Sequence, residues 1–487
     1  MFKLIIVSSM KRGVVNNLLI AVLMITAVSC INIQSNNRLS GKPKQIDNFI
    51  SAINKDGQFM GAVLVAEKGK VIYKNGFGFA NMETKEKFTP STPCYIGSLS
   101  KQFTAMGIMI LKEKSKLSFE QSIRQYFPEL SECYQEVTIL NMLYHSSGLA
   151  LFDDYPNMTE NDVFNIIKQK TTLRFTPGSK FEYCNANYTL LGMLIEKLSG
   201  QSLDEFLTDN IFIPCSMNDT YVDEPSRKDR KRAVGYYLFG DEYNYSTYIG
   251  GAASVVSTLE DLYKWNQMLN NPTIISKQSL KEIFTSDKNS WENKIYGNTG
   301  YGFGWFISEN DTNKIIQHDG GFAGFRSYIE RQENKQNTII FISNVRHNLI
   351  GDIREGIDNI LNNKPYTIPK ISAANWIIGK SKEIGMKQAI LNYTSSEKTI
   401  DSSRYYFSER ECNSLAYYLL RADKTDNAIQ FFKFNTEQFP NSGNAFDSMG
   451  EAYLKIGDKT NALESYKKAL ELDPSNRNAA DIIKKLE

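Results

Sequence analysis

Histidine is scarce in this sequence. The 487 residues include only His145, His318 and His347, which leaves no material for a histidine-rich metal site. Cysteine is little better represented, with six copies and no paired C-x-x-C, so a zinc-finger pattern is absent. No excess of charge of one sign exists: 56 basic against 54 acidic side chains give a net charge of +2. With no basic stripe either, nucleic acid is not an expected partner. G-x-S-x-G is missing throughout, which excludes the nucleophile elbow of an α/β-hydrolase. Neither metal nor cofactor is expected.

What is present begins with a marked N-terminus, "MFKLIIVSSMKRGVVNNLLIAVLMITAVSC". Lys3, Lys11 and Arg12 form a positive front, and residues 18–28 form an apolar core too short to span a bilayer comfortably. Ala27-Val28-Ser29-Cys30 then resembles a bacterial lipoprotein cleavage box, with Ala27 where leucine is usual. An uncleaved anchor or a plain secretory signal are the alternatives. Each makes residues 1–29 a targeting segment and the remainder exported. Lipidation of Cys30 would anchor the chain to a membrane. The five other cysteines are odd in number and irregular in spacing, so no disulfide framework is implied.

A chain of this length is expected to hold about two to four domains. Residues 30–45 are polar and read as a tether. A first folded unit is expected over 46–362. "FMGAVLVAEKGKVIYKNGFGFA" reads as a β-hairpin around a Lys-Gly turn. Helical and loop signals dominate from 98 to about 285, and strand signals return at 301–307, 313–319, 325–332 and 337–345. Leu349, Ile350, Ile353, Ile357, Ile360 and Leu361 have the spacing of a helix laid against a sheet. A sheet built from both ends of a segment, with a helical block inserted between, is an α+β architecture.

The two prolines of "NKPYTIPK" mark a boundary, and 363–408 reads as linker and helices. Beyond it, an offset of 34 residues pairs Ala428 with Ala462, Phe432 with Tyr466 and Pro440 with Pro474. Residues 443–476 carry the small, aromatic and proline positions of a tetratricopeptide repeat. Residues 409–442 match less fully, with Cys412 and Ala416 where an aromatic and a glycine are usual. Residues 477–487 read as a capping helix, and 385–393 as part of an earlier degenerate pair. The all-α region 409–487 serves either as a structural appendage or to dock a protein partner. Its deletion from residue 371 onward is expected to leave the chemistry largely intact.

Three clusters carry chemistry. Ser-x-x-Lys occurs four times in this chain, but only Ser98 and Lys101 head a stretch, "FTAMGIMIL", with no charge on any face. Such a helix is expected to be buried all round. Ser98 then lies near a helix N-terminus, and Lys101, three residues on, faces the same way. Partial desolvation would lower the lysine pKa and let it take a serine proton. Alone, the pair reads equally as a helix cap and a snorkelling lysine. In the second cluster, Tyr183 and Asn185 flank Cys184. In an extended segment both would face one cleft, a phenol to shuttle protons and an amide to bind substrate. The third is "IIQHDGGFAGFRSYI", in which His318 ends a strand before Gly320 and Gly321. Glycines there suit close backbone approach by a ligand, and the Gly321 and Ser98 N–H groups could form an oxyanion hole. Singly, turn polarity and a structural histidine explain the second and third clusters better.

Taken in order, the three clusters resemble the active-site boxes of the serine β-lactamase and penicillin-binding-protein superfamily. The Tyr-x-Asn second box is closest to the class C β-lactamase-like and D,D-peptidase-like branch. "HSSGL" (145–149), "GGAASVVSTLEDLYKW" (250–265) and "YGFGW" (301–305) resemble further segments of that family. The resemblance implies an antiparallel sheet with an inserted helical region. It also implies a serine hydrolase in which Ser98 is acylated and Lys101 and Tyr183 handle protons. Asn185, His318, Gly320 and Gly321 would bind the small-molecule or peptide substrate. His318 stands where efficient class C β-lactamases use lysine, so a weaker, switchable charge is expected to face the substrate carboxylate.

Overall fold

The computed structural model describes residues 39–152, 157–225, 231–243, 247–287, 289, 291–293, 297–310, 313–395 and 402–487. The targeting segment, Cys30 and the first part of the tether lie outside these residues. The main elements of the first unit are α1 (Gly41–Lys55), β1 (Gly61–Glu67), β2 (Lys70–Phe77), α2 (Ser100–Glu113), α3 (Asn185–Ser199) and α4 (Leu259–Asn270). They continue as β3 (Trp291–Asn293), β4 (Gly297–Tyr301), β5 (Phe306–Asn310), β6 (Asn313–Phe322), β7 (Phe325–Gln332), β8 (Asn337–Ser343) and α5 (Ile350–Leu361).

Eight strands form one sheet in the order β2-β1-β8-β7-β6-β5-β4-β3, with every neighbouring pair antiparallel. The β1–β2 hairpin turns at Lys68 and Gly69, both with positive φ, as a two-residue turn of that twist requires. β8 is buried at every position, so both faces of the sheet are covered. On one face Val63, Val65, Ile339 and Phe341 pack against Phe49, Ile50 and Ile53 of α1 and Ile353, Ile357 and Ile360 of α5. Ala62, Leu64, Ile340 and Ile342, the alternate positions, join the core that α2 and α3 build on the other face. Period-two alternation thus divides one strand between two cores.

Two expectations need correction. The tether does not run to residue 45, because α1 begins at Gly41. Ile46, Phe49, Ile50 and Ile53 bury one helical stripe and the helix extends back through the polar residues before them. The strand expected at 301–307 is two strands joined by a turn. Gly302 N–H bonds to Trp305 O at 2.8 Å, and Gly304 has φ +79. A Cβ at Gly304 would stand 2.8 Å from Lys101 O, so this turn packs directly on the backbone of α2.

The helical region runs α6 (Ala373–Ile384), α7 (Met386–Ser395), α8 (Glu409–Arg421), α9 (Thr425–Gln438), α10 (Gly443–Lys455), α11 (Lys459–Leu472) and α12 (Arg477–Leu486). Ser408, Ser442, Asp458 and Asn476 cap α8, α10, α11 and α12 by accepting a backbone N–H, which satisfies otherwise orphaned donors. A Cβ on Gly450 would sit 2.9 Å from the Tyr466 ring; the missing side chain lets α10 and α11 close on each other. Cys412 and Ala416 are fully buried in the α8–α9 core. Among the described residues no helix is long and apolar enough to cross a membrane, and no cluster of histidine, cysteine and carboxylate side chains could hold a metal.

Candidate active site

The local geometry starts from glycine. Gly97 (φ +53) opens a 3₁₀ turn over Gly97–Leu99 that leads into α2, so Ser98 stands just ahead of the helix rather than in it. A Cβ on Gly97 would lie 2.7 Å from Gly321 N, and one on Gly320 2.1 Å from Ile96 O. Only glycine at these positions lets the turn and β6 touch backbone to backbone. Ser327 Oγ also donates to Ile96 O at 2.6 Å, tying β7 to the same turn.

β6 and β7 close through Ala323 (φ 47) and Gly324 (φ 87), with Phe322 opposite Phe325 and Gly321 opposite Arg326. In such a two-residue hairpin the closing pair is hydrogen-bonded and the next pair is not. Gly321 N–H therefore points away from β7. On that side β5 pairs only with Asn313–Gln317, so the outer edge of β6 near Gly321 is open and faces the Ser98 turn.

Residues Ser100 to Leu111 of α2 are all buried, Lys101 included. Lys101 Nζ lies 3.1 Å from Ser98 Oγ, 2.9 Å from Asn185 Oδ1 and 2.8 Å from Ala252 O. Asn185 is the first residue of α3 and Cys184 its extended N-cap, so the second cluster meets the lysine from a helix start, not from a continuous strand. The Tyr183 ring centroid is 4.9 Å from Nζ, and its hydroxyl is buried. Ala252 arrives on the Gly250–Ala252 turn. Cβ atoms on Gly192 and Gly251 would stand 2.9 Å from Gly251 N and 2.6 Å from Thr104 Oγ1, so α2, α3 and that turn are pinched together by small residues.

His318 departs from expectation. It is 1 % exposed, and Nδ1 lies 2.6 Å from Asp319 O while Nε2 lies 3.1 Å from Tyr301 Oη. A carbonyl only accepts, so the proton is on Nδ1 and Tyr301 donates to Nε2. Burial pushes the imidazole pKa down to about 4; the Asp319 charge opposes this and the Lys101 charge adds to it. At neutral pH the ring is uncharged and offers no cation to a substrate carboxylate. Ring ¹⁵N shifts should report the neutral Nδ1–H form from pH 8 down to about 5. An imidazolium signal near pH 6.5 would overturn this assignment.

The sequence reading missed three contributors. Ala252 supplies the third acceptor to Lys101. His145, fully buried, accepts Cys184 N–H on Nδ1 at 3.1 Å and lies 4.3 Å from the Tyr183 ring, so it orients the second cluster. Burial, with the Lys101 charge, holds its pKa well below the usual value. Arg326 lies so close over Gly321 that a Cβ there would meet its Nη1 at 1.8 Å, and Nε donates to His347 O at 2.9 Å. The HSSGL segment was the available signal for His145; a backbone carbonyl and a cross-strand arginine leave none.

Residues 46–355 match the family model described as Beta-lactamase, a span that holds every residue of this cluster. The chain belongs to the beta-lactamase family. A tetratricopeptide repeat model matches residues 448–476. Penicillin-binding protein 4* of Bacillus subtilis (strain 168) is 31% identical over 360 residues, covering 68% of this chain and 78% of that protein. Protein flp of Staphylococcus aureus (strain MW2) is 27% identical over 342 residues, covering 66% of this chain and 68% of that protein. Among solved structures, the octameric penicillin-binding protein homologue from Pyrococcus abyssi superposes with TM-score 0.60 at 27% identity, covering 66% of this chain and 77% of that one. A class C beta-lactamase mutant shares the fold, with TM-score 0.58 at 22% identity over 68% of this chain and 99% of that one. The β-lactamase-like fold with antiparallel sheet, followed by a helical region with a tetratricopeptide repeat, is therefore the architecture of this chain.

Proposed function

We propose that this beta-lactamase family member is an exported serine hydrolase that forms an acyl-enzyme on Ser98 from an ester or amide, D-amino-acid peptides included. The observation that carries the reading is the set of acceptors around Lys101. Asn185 Oδ1 and Ala252 O can only accept, so they hold two N–H bonds of Lys101 in either protonation state. The third position of Nζ is thereby aimed at Ser98 Oγ, 3.1 Å away, and the deprotonated amine turns its lone pair there.

The steps follow. Nζ takes the Oγ proton and becomes ammonium while Oγ bonds to the substrate carbonyl carbon. The oxyanion is received by the N–H groups of Ser98 and Gly321. As the tetrahedral adduct collapses, the bond to the leaving group breaks, and the proton passes to that group from Lys101 by way of Tyr183. Water, deprotonated by the same pair, then releases the acid and restores Ser98. Asn185 has a second role, presenting its amide N–H groups to the substrate. On the N-terminal reading, lipid at Cys30 tethers this unit to the cell envelope, and the repeats carry any protein partner.

A true β-lactamase is the second reading, and the uncharged His318 counts against it. Intact mass seconds after mixing with a simple penicillin, beside Ser98→Ala, separates the two. A persistent adduct on the wild type and none on the variant is the expected result. Drug consumed through a transient adduct would favour the β-lactamase. An adduct that survives in Ser98→Ala would remove Ser98 from its role.

A further inference from the structure

The repeats do not hang free of the hydrolase unit. Phe239, in the first unit, is 7 % exposed and belongs to the same core as Ile377, Ile378, Cys412, Ala416 and Leu419 of α6 and α8. The Tyr418 ring of α8 packs at a tilt against both Tyr237 and Phe239, with ring centroids 4.7 and 5.0 Å apart. Beside these rings lies Asp241. Lys382 of α6 donates to its Oδ1 at 2.5 Å and Tyr418 Oη to its Oδ2 at 3.0 Å, and Lys424 Nζ is 3.9 Å away. Lys382 also reaches Phe239 O at 2.6 Å. Two donors and a further lysine charge from the helical region thus converge on one carboxylate of a loop.

That loop leads to the active-site strand. Asp241 O accepts Tyr237 N–H at 2.8 Å, and Gly235 O accepts Tyr243 N–H at 2.8 Å, which folds residues 235–243 back on themselves. Gly235 is pressed on the β6–β7 turn: a Cβ there would meet Ala323 O at 2.1 Å. Gly324 reciprocates, its added Cβ falling 2.8 Å from Gly235 C and Tyr236 N. Two residues before Ala323 is Gly321, whose N–H faces Ser98. Tyr243 also accepts from Arg346 Nη1 at 3.4 Å, next to the Arg326 that covers Gly321.

We propose that Asp241 is a positioning residue through which α6 and α8 hold the 235–243 loop against the β6–β7 turn, so that the helical region sets the oxyanion amide of Gly321. The helical region then braces the active site from behind the 235–243 loop, and a ligand that moves α6 or α8 changes the acylation rate. On this proposal, deletion from residue 371 would slow acylation rather than leave the chemistry intact. The link to rate rests on the hydrolase reading above; the mechanical link does not.

The test uses the full chain with Asp241→Ala, the milder Tyr418→Phe, and Asp241→Glu as the conservative rescue. Hydrogen exchange of residues 320–326 is read beside the saturating acylation rate and the KM, with a simple penicillin and p-nitrophenyl acetate as probes. Asp241→Ala should speed exchange at the turn by about tenfold and slow acylation by about tenfold with KM nearly unchanged, as a misplaced oxyanion donor would. Asp241→Glu should recover part of both, and Tyr418→Phe should fall between. Unchanged exchange in folded Asp241→Ala overturns the proposal, as does faster exchange with an unchanged rate. If neither probe acylates the wild type, the hydrolase reading fails, while exchange still decides whether the helical region braces the strand.

Discussion

Lys101→Met should slow acylation of Ser98 by about 10²- to 10⁴-fold, the usual worth of a positioned general base, while the protein stays folded. Lys101 is fully buried and methionine has a similar length, so packing around α2 is kept. The variant leaves Asn185 Oδ1 and Ala252 O without their donor, a cost of about 1–3 kcal/mol each. Removing a buried amine, which is costly to desolvate, offsets part of that. The opposed effects predict a small change in melting temperature beside a large loss of rate. Mass spectrometry of adduct formation over time, with thermal melts of both proteins, checks the two together. Acylation at the wild-type rate in a folded Lys101→Met protein would take Lys101 out of the proton path. Loss of folding would instead assign the residue to structure.

Arg354→Ala should cost about 3–5 kcal/mol of stability, the ordinary result of stripping the partner from a buried charge. Glu330 has no exposed side-chain surface, and Arg354 Nε meets it at 2.8 Å. Tyr328 Oη and Gln332 Nε2 also donate to this carboxylate, at 2.6 and 2.7 Å. The group is thus a saturated acceptor cluster that pins α5 to β7 on the face of the sheet opposite α2. Without the guanidinium, the carboxylate keeps its desolvation but loses its counter-charge. Glu330→Gln in the Arg354→Ala background should recover part of the loss, because a neutral amide needs no counter-ion. Urea unfolding of the wild type and both variants measures this. A loss below about 1 kcal/mol would mean water reaches Glu330 and the pair behaves as a surface bridge. Since α5 touches the site only through the sheet, the folded fraction of Arg354→Ala should acylate normally.

Much of the architecture is legible in local stretches of the chain. Continuous apolar runs rich in β-branched residues, such as "GAVLVAE" and "NTIIFIS", announce strands buried on both faces, the uncharged "FTAMGIMIL" announces a helix buried on every side, and small residues opposite aromatics announce the repeats. Side-chain direction follows from backbone period, so a residue's face can be read from its neighbours in sequence. The Ser98–Lys101 pair belongs with them, because three residues at a helix start set their proximity. The strand placed over 301–307 failed for a related reason. Apolar residues outvoted Gly302 and Gly304, which let the turn lie on the backbones of Ile283 and Lys101 respectively.

Tertiary structure alone decided the rest. The carbonyl of Ala252 has no side-chain signature, yet it fills the third position around Lys101 across 151 residues of chain. His318 stands in the expected box, but its charge depends on how deeply Tyr301 and Phe306 bury it, which no spacing reports. The Asp241 clamp joins a loop of one unit to helices of another, and nothing near Asp241 in sequence names Lys382 or Tyr418. Sequence by itself determined what lies within a helical turn or a strand repeat, since covalent geometry enforces those distances. Contacts between distant segments, and the desolvation that tunes the charges at the site, exist only once the whole chain has packed.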